Sequence, residues 1–166
     1  MPRMAPGVLE EFLRQPHTGV IATLRRDGHP YTVPVWWLWK DPHVWLTGTY
    51  SRVWCKQIMH DRRVSLCIEA AAPVSGHVEV DGTAEPFELP GFDIWPISRE
   101  LAEKYVGRVD RARAAAVDQF FANMQTEPRL LFRITPRTWR AIDMREYRGK
   151  RADREFQAQA GELAGR

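Results

Sequence analysis

Residues 19–84 form a close series of short apolar or alternating runs, at 19–25, 31–39, 43–49, 63–68 and 77–84, with one helical stretch at 51–60 among them. Runs this short, separated by turn residues, read as β-strands. Arg26-Asp27-Gly28-His29-Pro30 marks a hairpin, because Asp-Gly tolerates positive φ. Asp41-Pro42 turns the chain again. A parallel sheet would need a helix after almost every strand, so this spacing favours a closed antiparallel barrel. The expected fold class is mainly β with peripheral helices.

The rest of the chain decorates that barrel. Residues 6–15 carry Val8, Leu9, Phe12 and Leu13 at helical spacing, and Pro16 stops the run. Two further helical stretches, 99–106 and 110–124, follow an irregular segment at 86–96. Two strands, 130–134 and 138–143, close the domain, with Pro136 between them. Pro34 interrupts the second strand; lacking an N–H, it belongs at an edge, a bulge or a place where something else approaches the backbone. Gly82 reads as a bend in the fifth strand. The division expected is a barrel domain over 1–144 and a polar C-terminal tail over 145–166, basic where it begins.

At 166 residues the chain suits one domain or one protomer of an oligomer. No run approaches the roughly 20 apolar residues of a membrane span. Residues 1–6 lack the apolar core of a secretory leader, so a cytoplasmic location is expected. Two cysteines, Cys55 and Cys67, are too few and too far apart for a thiol redox pair or zinc cluster. Cys67 stands in the apolar run Val64-Ser65-Leu66-Cys67-Ile68 and is expected to be buried; Cys55 suggests no role. A net charge of +3 raises the question of nucleic acid. No zinc finger, helix-turn-helix or aromatic RNA-binding signature accompanies it, and a mild arginine excess on a solvated surface accounts for the charge.

The chemistry-bearing stretch is Thr47-Gly48-Thr49-Tyr50-Ser51-Arg52, with Lys56 one turn into the following helix. A hydroxyl-rich strand end running into a helix start offers free N–H groups, the positive end of the helix dipole and a cation, which together favour a phosphate. Strand and N-cap hydroxyls serve structure as well, and the two uses are compatible. Lys56 and Arg52 are read as phosphate contacts rather than as two surface cations. Trp36, Trp37 and Trp39 share one strand with Trp45 in its neighbour. Alternation places Trp37 and Trp39 on one face and Trp36 on the other, serving core or dimer packing or walling a ring. None of the histidines, His17, His29, His43, His60 and His77, falls at a metal-ligand spacing; His77, at a strand start, is the one worth testing. No metal site is expected. No Ser–His–Asp or paired-carboxylate arrangement emerges, so no catalytic residue is nominated. That suits a protein whose cofactor carries the chemistry.

The order Gly19-Val20-Ile21-Ala22-Thr23, Asp27-Gly28-His29-Pro30, Val33-Pro34-Val35-Trp36-Trp37, Ser51 to Lys56, Asp61-Arg62-Arg63-Val64-Ser65-Leu66 and Val80-Asp81-Gly82-Thr83-Ala84-Glu85 resembles the split-barrel flavin-binding superfamily. This is the pyridoxamine 5′-phosphate oxidase-like group, and the chain is most similar to its actinobacterial flavin/deazaflavin oxidoreductase branch over about residues 8–144. The resemblance implies an antiparallel split β-barrel of the FMN-binding type and a homodimer with cofactor at the subunit interface. It implies a ring against the backbone of Val33, Pro34, Val35 and Trp36, and a phosphate held by Thr47, Thr49, Ser51, Arg52 and Lys56. Two departures stand out. Relatives often carry Lys where this helix has Trp54, and Asp-Pro-Arg where this chain has Asp61-Arg62-Arg63. The C-terminal Arg-x-His motif of true pyridoxamine phosphate oxidases has no counterpart here.

The function expected is an FMN- or deazaflavin (coenzyme F-420)-dependent oxidoreductase passing a hydride to a small-molecule acceptor. The alternative is a non-catalytic flavin-, deazaflavin- or haem-binding split barrel. A nucleic-acid-binding barrel is a third, weaker reading, and neither nucleic acid nor membrane is expected as a partner.

Overall fold

The computed structural model describes residues 3–107 and 114–147. Helix α1 (Pro6–Arg14) leads into strands β1 (Gly19–Leu24), β2 (Pro30–Val35), β3 (Leu38–Lys40) and β4 (His43–Thr49). Helix α2 (Val53–His60) follows, then the longer strands β5 (Arg63–Ala70) and β6 (Gly76–Phe87). Helices α3 (Trp95–Val106) and α4 (Ala114–Gln125) precede β7 (Arg129–Asp143) and a 3₁₀ turn, Met144–Tyr147. The tail from residue 148 and positions 110–113 of the expected second helix lie outside the described residues.

All pairings are antiparallel, in one seven-stranded sheet ordered β2-β1-β5-β6-β7-β4-β3. The two strands at opposite edges, β2 and β3, are separated in the chain only by Trp36-Trp37. A sheet whose edges are two residues apart must curl upon itself, yet no ladder joins them. The architecture is therefore a split barrel rather than a hydrogen-bond-closed one.

Local chemistry explains the corners. Gly28 takes φ 82° in the β1–β2 turn, and the Asp27 carboxylate accepts from the His29 N–H at 3.0 Å. The expected single strand 31–39 is broken, because Trp37 turns its whole side chain into the core (0% exposed) and its N–H bonds the phenol oxygen of Tyr105 at 3.1 Å. The two expected closing strands are one. Pro136, which has no N–H to give, pairs opposite Gly82 at a register shift between Asp81 and Gly82, where the ladder is already interrupted.

The main core fills the barrel with Phe12, Ile21, Trp37, Leu46, Ile58, Leu66, Ile68, Phe132 and their neighbours. Strand β5 alternates strictly, so Val64, Leu66 and Ile68 point inward and Cys67 outward. The expectation of a buried Cys67 is thus corrected: Cys67 is exposed and Cys55 is the buried thiol. Helices α3 and α4 form a small core of their own from Ala102, Val117 and Met124. They are fastened to the barrel by a Lys40–Glu100 ion pair at 2.6 Å and by Lys104, which donates to the Leu13 carbonyl and sits 3.4 Å from the Trp37 ring centre. No helix among the described residues is long and apolar enough to cross a membrane.

Candidate functional site

A cleft of about 640 Å³ opens between the barrel and the α3–α4 pair. One end is apolar and aromatic. Pro34, Val35 and Trp36, at the end of β2, face Leu101, Ala102, Phe120 and Met124 of the two helices. The Trp36 ring stacks on Tyr105 with centres 4.7 Å apart and planes 3° from parallel, and Phe120 lies 5.5 Å away. Tyr105 is itself fixed: its hydroxyl accepts from the Trp37 N–H and donates to the His17 carbonyl at 2.9 Å. Trp37, next in sequence, donates its indole N–H to the same carbonyl at 2.7 Å.

The other end is cationic. Thr47, Arg52, Trp54, Glu127 and Arg129 line it. Thr47 and Thr49 belong to β4, and the β4–β7 ladder sets Thr47 opposite Leu131 and Thr49 opposite Arg129. Arg52 is the N-cap of α2, with no side-chain cap hydrogen bond, and the Lys56 N–H makes the helix's opening bond to the Arg52 carbonyl at 3.2 Å. Gly48 lets the helix lie against the strand end: a Cβ there would stand 2.4 Å from the Cys55 sulfur and 2.8 Å from the Trp54 ring. Burial pushes the Cys55 thiol up to about 12, so it is neutral packing material rather than a nucleophile.

The expected site residues divide clearly. Pro34, Val35, Trp36, Thr47 and Arg52 line the cleft. Thr49 and Ser51 are not among the lining residues; they share a hydrogen bond of 2.8 Å. Val33 and Lys56 are outside the lining, Lys56 on the exposed side of α2. The sequence had not singled out Arg129, Glu127 or Asn123. Arg129 is 80 residues from Thr49 and becomes its neighbour only through strand register, which no local motif signals. Burial, foremost, and the nearby Arg52 charge lower the Arg129 pKa from its ordinary value, while Glu127 opposes them. No group of three or more His, Cys, Asp or Glu side chains among the described residues is placed to hold a metal.

The fold is thus an antiparallel split barrel whose cleft has an aromatic end and a cationic end. The chain belongs to the pyridoxamine 5′-phosphate oxidase family, whose sequence model matches residues 6–143. No curated protein matches it in sequence. Among solved structures it is similar to the conserved hypothetical protein Rv2991 of Mycobacterium tuberculosis, 26% identical, with 86% of each chain covered and a TM-score of 0.66. It is also similar to an F420 reductase (21% identity, 78% of this chain and 94% of that one, TM-score 0.58). A third is the haem storage protein HutZ of Vibrio cholerae (16%, 82% and 92%, TM-score 0.61). The last two likenesses are of fold alone.

Proposed function

We propose that the protein is an FMN- or deazaflavin (F-420)-dependent oxidoreductase that works as a homodimer and passes a hydride to a small-molecule acceptor. The observation that carries this reading is the two-ended cleft. A planar ring fits between the Pro34-Val35-Trp36 segment and the helices, while an anionic tail reaches Thr47 and the arginines. Bound there, the cofactor supplies the redox chemistry, and the chain's own residues orient it and exclude water. That division of labour agrees with a site that offers no nucleophile–base pair. The haem-carrier alternative finds less support, since no histidine lines the cleft.

The dimer is supported by the outer face of the β2-β1-β5 ladder. Pro34, Val20 and Cys67 stand in one row there, with Thr32, Ala22 and Ser65 in the next. These six side chains carry no charge, and Val20 is 43% exposed. Pro34 also lines the cleft, so a second copy on this face would border the ring end. Light scattering at micromolar concentration tests for the dimer. Titration of FMN and of coenzyme F-420 into the purified protein tests the cofactor: saturable binding of one is expected, and binding of neither would sink the reading.

A further inference from the structure

Ion-pair geometry in this molecule runs against expectation at one place. Among the described residues, the other arginine–carboxylate pairs span 2.5–2.9 Å, and their arginine side chains are 34–76% exposed. Arg129 is the most buried of these arginines, at 13% exposure, and has the longest pair, 3.4 Å to Glu127. Charge-assisted bonds of good quality are about 2.7–2.9 Å. A cation removed from water needs the best partner available, because the desolvation penalty falls on whatever pairing is left. Here it has the poorest. Its Nε is satisfied by the Met124 carbonyl at 3.1 Å, which aims the guanidinium without neutralising it. Arg52 adds a second positive charge from the α2 N-cap and has no ion-pair partner among the described residues. Glu127 is 59% exposed, free to swing away into solvent.

We infer that Arg129, rather than Lys56, is the principal anchor for the ligand's phosphate, and that Glu127 is a resident carboxylate which the phosphate displaces. This rests on the cofactor reading above and adds two things to it. Specificity for a phosphorylated ligand over its unphosphorylated form comes from β7. The empty site also holds an internal competitor, which lowers affinity for the ligand and shields the arginine pair from weakly binding anions. A carboxylate paired at 3.4 Å is easily exchanged; a phosphate offers oxygens to Arg129, Arg52 and Thr47 together.

The test compares FMN with riboflavin, and F-420 alongside, in fluorescence titrations of wild type, Arg129→Ala, Arg129→Lys, Glu127→Gln and Lys56→Ala. Arg129→Ala is expected to lose roughly 10- to 150-fold in FMN affinity, the worth of a charge-assisted hydrogen bond, with riboflavin affinity changed little. Glu127→Gln is expected to bind FMN a few-fold more tightly, and Lys56→Ala to stay within about threefold of wild type. Arg129→Lys, keeping charge without the fork, falls between. Arg129→Ala binding FMN as wild type does, or Glu127→Gln binding it more weakly, overturns the inference and leaves the cofactor reading standing. Should wild type bind neither FMN nor F-420, the cofactor reading fails, and calorimetric titration of inorganic pyrophosphate decides the anion anchor by the same pattern. If Arg129→Ala does not fold, Glu127→Gln decides alone, since that exposed carboxylate supports no core contact.

Discussion

The two ends of the cleft are built on opposite terms. At the aromatic end the Tyr105 hydroxyl, the Trp37 N–H and the Trp37 indole all meet on partners between 2.7 and 3.1 Å away. At the cationic end a half-buried arginine is left with a long, loose counterion. One end contributes to stability in the absence of any ligand, while the other withholds stability that a ligand can supply. Well-satisfied polar groups rigidify a site, whereas poorly satisfied charge makes it receptive.

Trp37 carries the largest expected effect. Trp37→Ala should lower unfolding free energy by about 3–5 kcal/mol in urea titrations, because a fully buried indole leaves a large cavity. A loss under about 1 kcal/mol would mean that the aromatic end is not a structural element at all. Its neighbour should behave differently. Trp36→Ala should weaken flavin or deazaflavin binding roughly tenfold, about 1.4 kcal/mol, while shifting stability by less than about 1 kcal/mol, since Trp36 is 38% exposed. Removal of only the hydroxyl, in Tyr105→Phe, should cost about 1 kcal/mol of stability, measured by thermal melting. At the opposite end, Arg129→Met should leave the unliganded protein within about 1 kcal/mol of wild type, or slightly more stable, because a poorly paired buried cation gives way to an apolar chain of similar length. A clear destabilisation there would erase the distinction between the two ends.

A pH effect sharpens the same contrast beneath the cationic end. Burial raises the Cys55 thiol from an ordinary 9.0 to about 12. The folded protein thus holds this proton more tightly than the unfolded chain. The associated stability is complete below about pH 9 and fades as pH climbs toward 12. In denaturation series across that range, Cys55→Ala should show a shallower alkaline decline than wild type.

What was legible in the sequence follows the range of the forces involved. The Asp27-Gly28 turn and the strand-to-helix passage at Ser51-Arg52 are local, and each is where the residues indicate. The break at Trp36-Trp37 is not local: its backbone partner, Tyr105, is 68 residues away. Continuity of β7 through Pro136 depends on the register shift opposite Asp81 and Gly82, where β7 carries the extra residue Arg137. For the cleft, Pro34, Val35, Trp36, Thr47 and Arg52 sit in short motifs and were readable. Arg129 was not, because only the pairing of Thr49 with the start of β7 gives it a position. The reading of Cys67 as buried took an alternating strand for a uniformly apolar one.

The open seam between β2 and β3 has a consequence of its own. Where a closed barrel would spend neighbouring-strand groups, this one spends a side chain: the Tyr105 phenol serves the backbone N–H of Trp37 from a helix inserted between β6 and β7. That amide is therefore a reporter of helix docking. Its hydrogen–deuterium exchange should follow the attachment of α3 to the barrel rather than the melting of either edge strand. Completion of the barrel and construction of the cleft wall are, at this atom, the same event.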